Sequence, residues 1–383
     1  MPVFELARIP RMVYGPGARH NLPALAGGLV PRGARLLLVA DPGLKASGMA
    51  EGIRASLEQA GFSVTSFGDF TSDPSMAQTD LAAALARRDK AALVIALGGG
   101  SAIDLGKAVA AIAGARQPVG AYDMCRRAFP KRRLPCICIP TTSGTGAETT
   151  RTSVLSRPDK AKTWLWGEAI KPDIVVLDPE LTVSLPAALT AATGLDALVH
   201  AVEAATNRNA HAANTLYAHE AIRLVAQNLE RAVQEPGNLA ARGNLQRAAA
   251  LGGIAIDNCG TAIAHNIGHA MASLRPVHHG RAVSIAMLAT LPWNVAGDDG
   301  AFATCALAMG TRPDAAGFIN GFERLARAAG LDLAPGPGFA GITPEELVQQ
   351  MQQPENLPML HSNRREASDA ERLELAARVL ALS

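Results

Sequence analysis

Disulfide chemistry has little to work with in this chain. Its five cysteines, Cys125, Cys136, Cys138, Cys259 and Cys305, are odd in number and show no CxxC spacing. Buried free thiols in a reducing compartment are therefore expected, not a disulfide framework. Cys136 and Cys138 lie two apart in an apolar run, where a strand would point both to one face. Long hydrophobic runs are also missing. No window is apolar for the length needed to cross a bilayer, and Met1–Pro10 lacks a basic-then-apolar signal pattern, so a cytoplasmic location is expected. Nor is there an excess of charge of one sign: 36 Lys and Arg face 34 Asp and Glu, a formal net charge of +2. That balance offers no reason to expect nucleic acid or an acidic membrane surface as partner. The densest basic cluster, Arg126, Arg127, Lys131, Arg132 and Arg133, reads as a solvated loop ahead of a strand. There is no internal repeat and no low-complexity tail.

What is present divides into two halves. In the first, apolar runs at Arg35–Ala40, Phe62–Phe67, Ala92–Leu97, Pro135–Ile139 and Ile174–Leu177 read as strands. Amphipathic stretches at Ala46–Ala60, Met76–Arg88 and Ala102–Ala115 read as helices between them. This alternation predicts a parallel α/β sheet covered on both faces. After about Leu185 the spacing becomes helical: Pro186–Asn207, Ala212–Val233, Leu239–Asp257, Thr261–Leu274, Arg281–Val295, Asp314–Ala329, Pro344–Gln353 and Asp369–Leu382. The expected architecture is an α/β dinucleotide-binding domain over residues 1–183 followed by an all-helical metal-binding and catalytic domain over 184–383, with the boundary near Asp178–Pro186.

The dinucleotide expectation rests on two loops. The strand ALVIAL runs straight into Gly98-Gly99-Gly100-Ser101 and then a helix. Glycines at that place let backbone approach a ligand, and the helix N-terminus offers N–H groups and a positive dipole end to a pyrophosphate. Neither GxGxxG nor the Walker pattern is present, because Gly106-Lys107 is followed by Ala108. The second loop, Pro140 to Glu148 (PTTSGTGAE), also follows a strand and concentrates hydroxyls and glycines that suit phosphate, ribose or carboxamide groups. Asp41 closes the first long strand. It is placed either to accept from adenosine ribose hydroxyls and repel a 2′-phosphate, or to cap the turn at Pro42-Gly43.

The helical half carries the reactive groups. Asp196 and His200 stand four apart, as do His265 and His269, and His278-His279-Gly280 follows; five of the chain's nine histidines lie in these apolar stretches. Buried charge and imidazole are costly without partners, so a metal is the economical explanation. One oxygen and up to three imidazoles suit Fe²⁺ or Zn²⁺ better than Mg²⁺ or Ca²⁺. Such an ion would polarise a carbonyl or stabilise an alkoxide next to a nicotinamide.

In order and spacing, GGGS with Asp104 and Lys107, PTTSGTGAE, KPDIVVLDPELT, GLDALVHAVEA, AHNIGHAMAS, HHG and a final SNRR resemble the iron-containing (group III) alcohol dehydrogenase family along nearly the whole chain. The resemblance implies the dehydroquinate synthase-like two-domain fold with the active site in its cleft, an NAD-linked oxidoreductase acting on a small alcohol, aldehyde or ketone, and a homodimer or larger assembly. It implies metal ligands at Asp196, His200, His265 and His279. The family's last ligand immediately precedes Gly, which selects His279 over His278. His269 matches a histidine near the nicotinamide that relays a proton. Gly98, Gly99, Gly100 and Ser101 match the pyrophosphate loop, with Asp104, Thr141, Thr142, Thr145 and Lys162 as further cofactor positions.

The chain departs from the family at Arg275 and His278, which stand where uncharged residues are common, and in SNRR, which lacks the family's Pro. Cys259 and His361 fall where they could line a pocket or simply pack. Arg275 either caps the helix ending at Leu274 or, with Arg151, His278 and His361, faces an anionic substrate. The alternatives are a maleylacetate reductase-like enzyme acting on an acidic oxo compound, a relative that tends to lack the ligand Asp, and a binding protein without turnover. Glycerol dehydrogenases and dehydroquinate synthase-like lyases share the fold, but their histidine pattern is further away.

Overall fold

The computed structural model describes residues 3–298 and 300–382. They form two compact units. One comprises Arg8–Thr142 and Ala147–Val183; the other comprises the N-terminal stretch up to Ala7, Ser143–Gly146 and the chain from Ser184 onward.

The first unit is built on a six-stranded, wholly parallel sheet. Its strands are β1 (Arg11–Tyr14), β2 (Arg35–Ala40), β3 (Ser63–Phe67), β4 (Leu93–Gly98), β5 (Cys136–Pro140) and β8 (Ile174–Leu177), in the order β1-β8-β5-β4-β2-β3. Residues 36–40, all of β4 and all of β5 are buried, as the continuous apolar runs require of strands covered on both faces. Helices α1 (Leu22–Gly27), α2 (Met49–Gln59), α3 (Met76–Arg88) and α4 (Gly100–Ile112) make the connections. α3 starts with a capping box, Ser75 and Gln78 each accepting from the other's backbone N–H. The stretch expected as one helix from Ala46 to Ala60 is broken. A 3-10 turn, Pro42–Ser47, ends at Gly48 with φ +66°, and α2 begins after it.

From β2 the chain runs to β3 on one side and, through β4, to β5 and β8 on the other. The reversal therefore lies between β2 and β4, and the crevice at their carboxyl ends is where open α/β sheets bind ligands.

Two features of this unit have no counterpart in the sequence reading. β1 is only four residues and mostly exposed, so it shows no buried alternation. An antiparallel hairpin, β6 (Thr152–Ser156) with β7 (Lys162–Trp166), projects after the PTTSGTGAE loop.

The second unit is helical: α5 (Ala187–Thr206), α6 (Ala212–Gln234), α7 (Leu239–Asp257), α8 (Ile263–Leu274), α9 (His279–Val295), α10 (Ala301–Met309), α11 (Ala315–Ala328), α12 (Pro344–Met351), α13 (Leu357–Ser362) and α14 (Asp369–Leu380). α9 begins two residues before the expected start at Arg281, which places His279 at its first turn. α5 is buried from Thr190 to Ala205 and packs against α6, α7 and α9. A helix apolar all round belongs in a core, and this one carries the polar pair Asp196 and His200 into it. Among the described residues no helix is long and apolar enough to cross a membrane.

The cysteines require one correction. Cys136, Cys138, Cys259 and Cys305 are buried, with the Cys136 and Cys138 sulfurs 3.9 Å apart on one strand face, but Cys125 is exposed. It sits at the end of a kinked 3-10 segment, outside the core that the apolar runs define.

Candidate metal centre and nucleotide loops

α5, α8 and α9 each bring part of one cluster together. Asp196 and His200 come from adjacent turns of α5, His265 from the first turn of α8 and His279 from the first position of α9. One ligand atom from each lies within 4.8 Å of every other. Asp196 Oδ1 is 3.8 Å from His200 Nδ1, 3.8 Å from His265 Nε2 and 3.6 Å from His279 Nε2. A tetrahedral shell with bonds of ~2.1 Å has edges of about 3.4 Å, so the spacing is close to what one divalent ion demands.

The burial makes the same argument. His200 Nδ1 and His265 Nε2 are enclosed and have no hydrogen-bond partner, a costly arrangement that a metal removes. Burial holds His200 well below its ordinary pKa, with His265 adding to the shift, so its ring is neutral and able to ligate. Three imidazoles and one carboxylate fit Fe²⁺ or Zn²⁺.

Behind His265 lies Glu203, one turn beyond His200 on α5. Its Oε2 is 2.6 Å from His265 Nδ1 and accepts from the Ala262 N–H, while Oε1 accepts from the N–H groups of Ala264 and His265. Burial acts to lower the His265 pKa and to raise that of Glu203. The attraction between the two, with the hydrogen bonds, outweighs it, leaving His265 raised and Glu203 lowered. In the sequence Glu203 lies within GLDALVHAVEA, and its spacing of three from His200 is the one signal there of this role.

His269 stands beside the cluster and outside its ligand group. Its ring lies 5.3 Å from that of His279 and 6.3 Å from that of His265, and it is partly exposed. His278, the residue before α9, is exposed.

The residues nominated for the substrate side have the following surroundings within their own units. Arg275 is exposed at the end of α8, where its Nη1 donates to the Leu274 carbonyl at 2.8 Å. That is the helix-capping role, favoured by the dipole. His361 is exposed on α13. Cys259 is buried, with Sγ 3.4 Å from the Ala255 carbonyl and 3.3 Å from Asn214 Nδ2, and serves packing. Arg151 belongs to the α/β unit, its guanidinium 4.8 Å from the Trp166 ring and 3.4 Å from Glu168.

In the α/β unit, Asp41 and Gly98 meet at the reversal crevice. Gly98 has φ +145°, and a Cβ there would lie 2.6 Å from Asp41 Cβ and 2.8 Å from Ala102 Cβ. Only glycine lets β4 turn into α4 beside β2. Gly99 is the N-cap of α4, and Gly100 is its first residue. Thr142 lies opposite Gly99, and the Thr141 N–H donates to the Gly98 carbonyl. Ser101 Oγ accepts from Asp73 N–H, and Lys162 Nζ is 2.9 Å from Asp73 Oδ1. Asp41 Oδ1 accepts from Gly43 N–H at 2.8 Å, so the turn-capping role is realised by one of its two oxygens. Thr145 lies in Ser143–Gly146, within the helical unit.

Asp104 and Lys107 face a different task. Lys107 is fully buried, and its Nζ donates to the carbonyls of Ala147, Thr150 and Thr152. Asp104 Oδ1 lies 3.3 Å from that Nζ, and Oδ2 accepts from Val154 N–H. The pair tethers the end of the PTTSGTGAE loop and the hairpin to α4.

A glycine loop at the reversal point of a parallel sheet, with a His₃Asp ligand set in a helical unit, defines a metal-binding oxidoreductase of the nucleotide-linked class. Residues 10–179 match the family model for iron-containing alcohol dehydrogenase, and residues 190–357 match the C-terminal model of the same family. The chain is 37% identical over 284 residues to long-chain-alcohol dehydrogenase 1 of Geobacillus thermodenitrificans, covering 72% of this chain and 71% of the relative. It is 30% identical over 348 residues to sulfoacetaldehyde reductase of Bilophila wadsworthia, covering 88% and 89%. The solved structure of sulfoacetaldehyde reductase from Bifidobacterium kashiwanohense in complex with NAD⁺ superposes with a TM-score of 0.91 at 25% identity, covering 100% of both chains. The chain belongs to the iron-containing alcohol dehydrogenase family. It is an oxidoreductase of the alcohol dehydrogenase class.

Proposed function

We propose that this enzyme handles a small alcohol and its aldehyde or ketone, with one Fe²⁺ held by Asp196, His200, His265 and His279. Zn²⁺ is a competent substitute on affinity grounds. The observation that carries this reading is the meeting of those four ligand atoms within 4.8 Å. When bound, the ion supplies Lewis-acid chemistry toward the substrate oxygen and NAD carries the hydride. His269, next to His279 and partly exposed, takes the hydroxyl proton during oxidation and passes it to solvent; in reduction it returns it. The α/β unit, Arg8–Thr142 with Ala147–Val183, acts as the NAD-binding domain and the helical unit as the metal-binding and catalytic domain. Gly98, Gly99, Gly100 and Ser101 hold the pyrophosphate at the N-terminus of α4. Thr141, Thr142, Thr145 and Lys162 surround the nucleotide. Asp41 uses its second oxygen for a ribose hydroxyl, which favours NAD over NADP. The protein works in the cytoplasm as a homodimer or larger homo-oligomer, in keeping with the family.

A second reading, an acidic oxo substrate, is favoured by the relatives named for sulfoacetaldehyde reduction. The Arg275 cap speaks for the neutral substrate instead. A screen with NAD(H), added Fe²⁺ and matched neutral and carboxylated or sulfonated aldehydes tests both. Turnover of neutral aldehydes at the higher kcat/KM is expected. Preference for the acidic series transfers the assignment to the second reading, and no turnover of either rejects both.

A further inference from the structure

We infer that Glu203 is a positioning residue for the metal centre, fixing His265 as the tautomer that presents a bare Nε2 to the ion. The inference rests on the four-ligand site proposed above.

A neutral imidazole has one N–H and one lone pair, and the partner of one nitrogen decides which is which. Glu203 Oε2 lies 2.6 Å from His265 Nδ1 and offers only acceptor capacity when ionised. The proton therefore resides on Nδ1. The Nε2 lone pair is left facing the cluster, buried and without a hydrogen-bond partner, 3.8 Å from Asp196 Oδ1.

The carboxylate is itself immobilised. The N–H groups of Ala262, Ala264 and His265 donate to it, all at the N-terminal end of α8. With the ring Nδ1–H this makes four donors for two oxygens, the full capacity of a carboxylate. Glu203 is 3% exposed and lies three and seven residues beyond His200 and Asp196 on α5. One helix thus supplies two ligands directly and holds the third in place across to α8. Partners of this kind orient ligating histidines and raise their basicity.

Glu203→Gln tests this, because an amide has one oxygen for four donors and must turn its NH₂ toward either the ring or the helix end. Apo protein titrated with Zn²⁺ alone, and separately with Fe²⁺ under anaerobic conditions, should show a Kd about 10- to 100-fold weaker than wild type. Folding is checked by circular dichroism. A variant that loses thermal stability but keeps metal affinity within about threefold would reduce Glu203 to a helix cap and overturn the inference. Should the variant fail to fold, ¹⁵N NMR of the wild-type chain loaded with Zn²⁺ decides alone: His265 must carry its proton on Nδ1, and a ring with its proton on Nε2 overturns the inference. Failure of the underlying site reads differently, as a wild-type chain that takes up no stoichiometric ion.

Discussion

Gly280 lies against Asp196. A Cβ on Gly280 would stand 3.2 Å from Asp196 Cβ and 2.2 Å from the Ala192 carbonyl oxygen. The start of α9 thus touches α5 where α5 carries its carboxylate, and the neighbouring His279 can reach the same point. The pairing of a ligand His with a following Gly is a packing requirement.

Gly280→Ala should consequently push α9 away from α5. Overpacking of this kind costs roughly 1–3 kcal/mol. A lowered Tm together with reduced bound metal, measured by thermal unfolding and elemental analysis, is the expected result. Unchanged values for both would show that the helices yield freely there.

His279→Ala should remove most of the metal and most of the turnover, since Asp196 and two imidazoles hold an ion poorly. His278→Ala, one residue earlier and exposed, should leave metal content near normal. Elemental analysis of both proteins checks the ligand choice, and the reverse pattern would make His278 the ligand.

Asp41→Ser separates two roles. Serine caps a helical turn about as well as aspartate, so the turn at Gly43 survives, but the negative charge facing a 2′-phosphate is gone. The ratio of kcat/KM for NAD over NADP should fall about tenfold or more at unchanged Tm. A ratio that stays put assigns Asp41 to the turn alone.

Glu148 gives a pH dependence. It is buried, and burial pushes its pKa up to about 7 from an ordinary 4.5. The folded state therefore holds a proton that the unfolded chain releases. This contribution to stability is complete below pH ~4.5 and is lost as pH rises through about 7, by ~3 kcal/mol at most. Glu148→Gln should flatten the fall in stability across that window in denaturant titrations. Equal slopes for variant and wild type would contradict a protonated Glu148.

Arg275→Ala should lower kcat/KM for an acidic aldehyde and a neutral one of equal length by the same small factor, because the guanidinium is spent on the Leu274 carbonyl. Its contribution to stability is that of an exposed charge at a helix end, roughly 0.3–1 kcal/mol. A selective loss of tenfold or more on the acidic substrate would place the guanidinium on substrate during turnover.

The amino-acid order alone determined the parallel strands, because runs such as RLLLVA and ALVIAL are too uniformly apolar for anything but a sheet covered on both faces. It also determined the helical spacing that sets Asp196 with His200 on one helix face, and the glycines that end β4. It did not reveal β1, whose four residues carry no buried alternation, or the hairpin β6–β7, whose place depends on Lys107 and Asp104 gripping its backbone from α4. It could nominate Arg275 for substrate or for capping, but only the helix end at Leu274 decided. Glu203 shows the limit most plainly. Its sequence spacing says it shares a face with His200, yet its partners are Ala262, Ala264 and His265, some sixty residues away. Hydrogen bonds between distant segments follow from how α5 and α8 pack, and no local pattern records that.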